Sequence, residues 1–452
     1  MASRLIAGYG NNTEKVSRWK SFGIWAVSPL YLSLTSTTLG FISLIFPPHW
    51  LTTALQERDV VFMNAPMALV MAISELAFIL GLAFYAQVHN HGKLVARRSP
   101  NLTPTRMLCK YGILLSAGSI IVEALIAIIM ILRVGLTKIL IAFTSPNAGI
   151  IFRQSLVGEM RIHGINILAF QAAAYPALLV STFIAMSVRG NRARRVSLAF
   201  AIIGGFSYII INLLTFTRWQ VLQYFLSVGL LLVICRNGEN GISKTRLLHA
   251  SIIFLGISSA LFVTVNALKT HISGPSAILG YTIGSYNVGA AVASGDVAQP
   301  YANSSYGALG FFWNAPMIGP YLRDLGRADG LDLPSGNAGA TNVWSSWSNA
   351  LDTAGLNPTY QWDTVFSYIY GDTGLIFPVI FFLYGYISQS IFSGFMMVRP
   401  IRFLLYFPFM TSIVTWFTSV FISNTTLDDF FIFSLLIVSI IKHQWLTSIE
   451  NR

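Results

Sequence analysis

Charge is scarce in this chain. Asp, Glu, Lys and Arg make up 10% of its 452 residues, where a water-soluble domain carries about a quarter. A polypeptide that keeps its whole surface in water is therefore excluded. Cysteine is nearly absent as well, with two residues, Cys109 and Cys235. Both map to the ends of apolar runs on the side read below as cytoplasmic, so no disulfide braces the opposite face. There is no Walker loop, no GxGxxG ahead of a helix, no GxSxG elbow, and no His, Cys or Asp cluster at metal spacing. Nucleotide-dependent chemistry and a bound metal lose their usual sequence support. No repeat of 20–50 residues breaks the chain into modules, and residues 1–452 read as one integral membrane domain.

What is present is apolar. Hydrophobic residues make up 54% and mean hydropathy is +0.63. Apolar runs of about 17–25 residues, each long enough to cross a bilayer as a helix, fall near 22–47, 65–88, 107–132, 163–188, 197–217, 219–235, 248–268, 372–393, 403–422 and 429–441. These runs are continuous, with no alternation of polar and apolar residues. Helices satisfy their own backbone in hydrocarbon, so the expected fold is all-α with about ten spans and no barrel strands.

The net charge of +12 invites a nucleic-acid reading until the basic residues are placed. With the N-terminus inside, the even-numbered connections hold Lys93, Arg97, Arg98 and Arg106, then Arg189, Arg192, Arg194 and Arg195, then Arg236, Lys244 and Arg246, then Arg399 and Arg402. Each of them is basic, and most acids fall on the other side. This is the positive-inside pattern of a multi-pass inner-membrane protein with both termini cytoplasmic. It accounts for the basicity without nucleic acid. The N-terminal segment reads as a retained first helix and not as a cleaved signal.

One outward connection dominates, at about 270–371, and a loop of that length in a compact protein is functional or carries structure of its own. Its stretch Ser273 to Ser294 is apolar and rich in small residues, suited to lying at or dipping into the interface. Tyr306 to Leu325 is amphipathic, and the turn-rich pieces around them suggest short helices folded over the bundle. Trp313, Trp344, Trp347 and Trp362 fit a sugar-binding surface or an aromatic belt at headgroup depth equally well. The connection Arg133 to Arg161 forms a second, smaller roof.

Arg218 is the most informative residue, standing where two apolar runs meet almost without a break. An arginine there either snorkels to headgroups or grips a phosphate with its planar guanidinium. Arg153, Arg161, Arg323 and Arg327 are further arginines on an otherwise acidic face, and two or three converging would suit a diphosphate. The carboxylates open to proton transfer are Asp296, Asp324, Asp329, Asp363, Asp372, Glu159, Asp428 and Asp429. Asp372 lies within Gly-Asp-Thr-Gly, read as the start of the eighth helix, where an acid is also a plain N-terminal charge partner. Glu75 and Glu123 lie inside spans, as functional groups or as helix contacts. His163 and His271 have no ligand partner nearby, and no metal is assigned.

Three stretches, Asn212 to Arg218 (NLLTFTR), Tyr281 to Gly289 (YTIGSYNVG) and Gln361 to Gly374 (QWDTVFSYIYGDTG), together with the tight Arg218 turn and the large loop after it, give a resemblance over about 140–395. The chain resembles the Wzy-type oligosaccharide repeat-unit polymerases, the O-antigen and exopolysaccharide polymerase family. It departs from the family pattern at Gln361, where Asn is frequent, at Thr373, where Phe is frequent, and in lacking a glycine before the Arg218 motif.

The resemblance implies a GT-C-type glycosyltransferase working on the periplasmic face of the bacterial inner membrane. Its donor and acceptor would be undecaprenyl-diphosphate-linked glycans, with membrane lipid and a chain-length regulator as further partners and no cofactor. Arg218, with Arg153, Arg161, Arg323 and Arg327, would hold the departing diphosphate. Asp372 or Asp296, or more weakly His271, would take the acceptor proton, and Tyr281, Tyr286 and Tyr370 would bind sugar. An O-antigen ligase shares donor and topology and is the nearest alternative. A transporter or flippase of a lipid-linked glycan is a further one, disfavoured by the lack of internal repeats and by polar residues concentrated in one loop.

Overall fold

The computed structural model describes residues 27–43, 57–58, 64–89, 106–144, 152, 155–156, 159–162, 165–187, 191–215, 218–236, 256, 260, 280–298, 306, 309–313, 315, 318–333, 347–358, 364–397, 399–417 and 425–450. Among them the chain is helical apart from a two-residue antiparallel ribbon in which Arg161 faces Asn166 and Ile162 faces Ile165. In chain order the helices are α1 (Pro29–Ser43), α2 (Ala65–Val88), α3 (Arg106–Val134), α4 (Leu136–Thr144), α5 (Gln171–Ser187), α6 (Asn191–Leu214), α7 (Arg218–Arg236), α8 (Ser285–Ser294), α9 (Gly310–Trp313), α10 (Gly319–Ala328), α11 (Val365–Thr373), α12 (Phe377–Met396), α13 (Pro400–Val414) and α14 (Thr425–Glu450). A further short helix occupies 347–353.

Among the described residues, four apolar helical stretches are long enough to cross a membrane: Ala65–Val88, Cys109–Val134, Arg195–Leu214 and Val365–Met396. Shorter apolar helices cover Gln171–Met186, Pro400–Val414 and Asp429–Ile441. The run predicted at 65–88 matches α2 end to end. Its start is set by Asn64, whose side chain accepts the Met67 N–H at 3.2 Å, and by a proline in the first turn. The span predicted at 248–268 lies outside the described residues except for 256 and 260.

The helices form two groups. α1, α2, α8, α11 and α12 pack together, as do α3, α5, α6, α7 and α14, and α13 touches both. The tightest crossing joins α2 to α12 through two glycines. A Cβ on Gly81 would lie 2.0 Å from the Phe382 carbonyl oxygen, and one on Gly385 would lie 2.1 Å from that of Phe78. Small residues at such a point let two backbones meet where water supplies no hydrophobic drive between helices. Phe78, Phe366, Phe381 and Tyr384 then surround Trp416, with the Phe78 and Trp416 rings 5.0 Å apart.

Two expectations about the long loop change. Its apolar small-residue stretch does more than dip into an interface: α8 is buried along nearly its whole length. Tyr286 and Ala290 join the bundle core, while Val288, Ala291 and Val292 face Trp347, Leu351 and Leu356 of the 347–358 segment. These two faces follow helical spacing, which the high content of small residues concealed.

The loop also ends earlier than 371. Thr364 caps α11, its hydroxyl accepting the Ser367 N–H at 3.3 Å, and Trp416 supplies a carbonyl to the Val365 N–H at 2.9 Å. Asp372 therefore sits in the last turn of α11 and not at a helix start. The actual break is Gly374 alone. Its φ of +55° is a left-handed conformation that glycine takes without strain, and it is followed by a 3₁₀ turn, Gly374–Ile376, and by Pro378 at the head of α12.

Candidate functional site

The two residues given most weight by the sequence occupy different helix groups. Arg218 is the first residue of α7, and at the close of α6 Thr215 bonds back to the Ile211 carbonyl at 2.9 Å. Several N–H groups are unspent at a helix start, and the macrodipole favours an anion there. Asp372 lies in the other group, buried beside the Gly374 break. Tyr370, one half-turn earlier on α11, is half-buried with its ring edge on Phe377 at 5.4 Å.

The remaining predicted residues divide by what the structure does with them. Tyr286 is fully buried, and its hydroxyl donates to the Ser36 carbonyl at 3.2 Å. It anchors α8 to α1 and presents no free edge to a sugar. Tyr281 lies in a π-helical turn, Gly280–Gly284, at the entry to α8. Asp296 is exposed just beyond the α8 terminus, where its backbone N–H bonds the Ala291 carbonyl at 2.9 Å and its carboxylate accepts from Ser294. Arg161 belongs to the two-residue ribbon. Arg323 turns inward and donates to the Trp313 carbonyl at 2.6 Å, and Arg327 pairs with Asp324 on the same helix. Arg323 and Arg327 are thus each bonded within the long loop. Arg153, His163 and His271 lie outside the described residues.

The carboxylates inside spans separate cleanly. Glu75 receives the Ser33 hydroxyl at 2.9 Å and the Thr37 hydroxyl at 2.8 Å, tying α1 to α2. This is a helix contact. Glu123, buried in α3, has no hydrogen-bond partner for either carboxylate oxygen among the described residues. Nearby in the same helix group, the rings of Tyr175, Tyr208 and Tyr224 cluster, and the Tyr175 hydroxyl lies 2.5 Å from the Ser227 hydroxyl. Lys138 and Glu159, 3.4 Å apart, join α4 to the region before the ribbon.

One group was missed. Glu57, between α1 and α2, accepts the Asn357 backbone N–H at 3.1 Å and the Asn287 side-chain amide at 3.5 Å. Beside it the Arg58 N–H donates to the Gly355 carbonyl at 3.0 Å. Burial pushes the Glu57 carboxyl up to about 7 from its ordinary 4.5, its two hydrogen bonds offsetting only part of that. A half-buried carboxyl titrating near neutrality suits proton transfer. The local sequence, Gln56-Glu57-Arg58-Asp59, looks like an ordinary solvated charge run, and only contacts with segments far along the chain mark it out.

No group of three His, Cys, Asp or Glu side chains placed to hold a metal occurs among the described residues. Comparison with family models, with curated proteins and with solved structures finds no match.

Proposed function

We propose that the chain is a membrane glycosyltransferase that polymerises lipid-diphosphate-linked oligosaccharide repeat units. The observation that carries the reading is Arg218. An arginine opens α7 three residues after Thr215, at the close of the apolar helix α6, and an arginine at a helix start suits an anion. In this reading about ten spans make a GT-C-type bundle in the bacterial inner membrane, with both termini cytoplasmic and the site periplasmic. Its substrates are undecaprenyl-diphosphate-linked glycans.

The reaction joins an acceptor hydroxyl oxygen to the anomeric carbon of the growing glycan. The bond from that carbon to the diphosphate breaks, and the bonding pair leaves with the lipid diphosphate. Arg218 neutralises the charge that builds on this leaving group, assisted by Arg153 and Arg161, while Arg323 and Arg327 brace the loop. The hydroxyl proton passes to a carboxylate or an imidazole. Asp372, Asp296 and His271 are joined here by Glu57, whose carboxyl titrates near neutrality. Tyr370 and Tyr281 are the tyrosines assigned to sugar binding in this reading, and Tyr286 positions α8.

Purified protein given lipid-linked repeat units alone should yield a ladder of lengthening glycans, and Arg218→Ala and Arg218→Lys should both shorten it at equal membrane abundance. Unchanged substrate would sink the polymerase reading. Wild-type ladders from both variants would remove Arg218 from the site. A ligase, given the same donor, would move glycan only to a separate lipid acceptor. The transporter reading gains one observation, the break between α11 and α12 beside a buried Asp372. Vesicle uptake of lipid-linked glycan without elongation would favour it.

A further inference from the structure

Helix α10 is built the wrong way round for water. The residues it turns into the protein are Gly319, Arg323 and Gly326, at i, i+4 and i+7. Arg323 is 7% exposed and bonded to the Trp313 carbonyl. Gly326 lets Trp313 and Leu333 close over the helix, since a Cβ there would meet Leu333 at 2.6 Å and Trp313 at 3.2 Å. The opposite face is apolar and bare: Ile318 is 57% exposed, Tyr321 72% and Leu325 65%. Asp324 and Arg327 pair along one flank. A helix in water buries its leucine and shows its arginine, and α10 does the reverse.

The bare apolar surface continues past this helix. Phe311 and Phe312 of α9 are exposed, as is Leu331 just after α10. α9 packs against α14, whose own outward residues Phe431, Ile432, Leu435 and Leu436 are exposed in the way expected of a helix facing lipid. The contact through α9 thus seats the α9–α10 element beside a helix whose outward face is apolar.

We propose that α9 and α10 lie in the plane of the membrane, with Ile318, Tyr321 and Leu325 immersed in the leaflet on the side of the long loop. The Asp324–Arg327 pair lies at headgroup level on the flank, and the buried Arg323 and Trp313 hold α10 to α9. The occupant of the bare face is the lipid leaflet itself, continuous with the lipid around α14. Tyrosine suits this position because its ring is apolar and its hydroxyl reaches the wet headgroup layer. A short helix with an apolar face and a charged flank is the form that binds an interface without spanning it. Part of the long loop is therefore a membrane-seated wall, whatever reaction the protein performs.

The test uses the full chain in proteoliposomes of phosphatidylethanolamine and phosphatidylglycerol, with Cys109→Ser and Cys235→Ser removing both native thiols. Nitroxide labels are placed singly through Tyr321→Cys, Leu325→Cys, Asp324→Cys and Asp332→Cys, all exposed positions whose replacement leaves buried contacts intact. The measurement is collision with oxygen, which concentrates in lipid, against a water-soluble nickel chelate. The ratio of oxygen to nickel collision should be several-fold higher at 321 and 325 than at 324 and 332. Nickel reaching all four positions alike would overturn the proposal, because the face would then be in water. Low collision with both reagents at 321 and 325 would overturn it too, because a protein surface would then cover the face.

Discussion

Protonation of Glu57 should set how tightly the 347–358 segment is clasped to α8. The clasp consists of the two hydrogen bonds to the Glu57 carboxylate and the Arg58 to Gly355 backbone bond, and beneath it Leu351 and Leu356 close on Val288 and Val292. A carboxyl that titrates near 7 when clasped and at 4.5 when released binds its proton more tightly in the clasped form. That contribution to stability is complete below about pH 4.5 and is lost as pH rises through 7. For one group with these two values, linkage makes the opening constant about seventyfold larger at pH 8 than at pH 5, about 2.5 kcal/mol. Arg58 and Asp352, the charges beside the clasp, are exposed and add little. The assay compares maleimide labelling of Leu356→Cys, buried under the clasp, with Thr353→Cys, exposed on the preceding helix. Their ratio cancels the pH dependence of the thiol. It should climb by about seventyfold from pH 5 to pH 8 with Glu57 in place and stay level in the Glu57→Gln background. A level ratio in both backgrounds, or an equal climb in both, would refute the reasoning.

Gly81→Ala and Gly385→Ala should each destabilise the α2–α12 crossing by about 1–3 kcal/mol, read as a lower melting temperature in detergent. The double variant should lose less than the sum, because both methyl groups force the same two backbones apart. Glu75→Leu leaves the Ser33 and Thr37 hydroxyls facing a methyl group and should cost about 1–3 kcal/mol. Adding Ser33→Ala and Thr37→Val should recover most of that in the same melting experiment, and no recovery would remove the pairing from the account. Repeat-unit polymerisation should survive chelation by EDTA, since arginines carry the diphosphate in the proposed site. Loss restored by added Mg²⁺ would show otherwise.

The helices were legible because lipid imposes a local requirement. Each spanning segment must be apolar along its own length, and the apolar run alone gave α2 its bounds, while the Asn64 cap emerged only from the structure. Pairings were not legible. Glu57 meets Asn287 and Asn357 across 230 and 300 residues, and nothing near Glu57 in the chain announces either partner. Gly-Asp-Thr-Gly was misread for a local reason, since Gly and Asp mark helix starts, yet capping by Thr364 and the carbonyl of Trp416 begin the helix earlier. Arg323 shows the same limit from the other side. Its flanking apolar residues made it an anion-binding candidate, and only the structure shows that those apolar residues face outward while the arginine faces in.

The separation of Arg218 from Asp372 constrains any mechanism that uses both. Arg218 begins α7, which packs on α5, α6 and α13, whereas Asp372 ends α11, which packs on α2, α8 and α12. Among the described residues, α13 is in contact with α7 and α12 alike. The chain after α13 is fixed to the Asp372 side. Trp416 takes the Val365 N–H on its carbonyl and sits among Phe78, Phe366, Phe381 and Tyr384, and Tyr384 bonds Ser412 at 3.1 Å. Toward the Arg218 side, Phe403 of α13 meets Phe183 of α5 at 4.6 Å. Apolar ring contacts slide at lower cost than capped, hydrogen-bonded ones break. In the proposed reaction, any change of spacing between the two helix groups would fall first on the contact of α13 with α5.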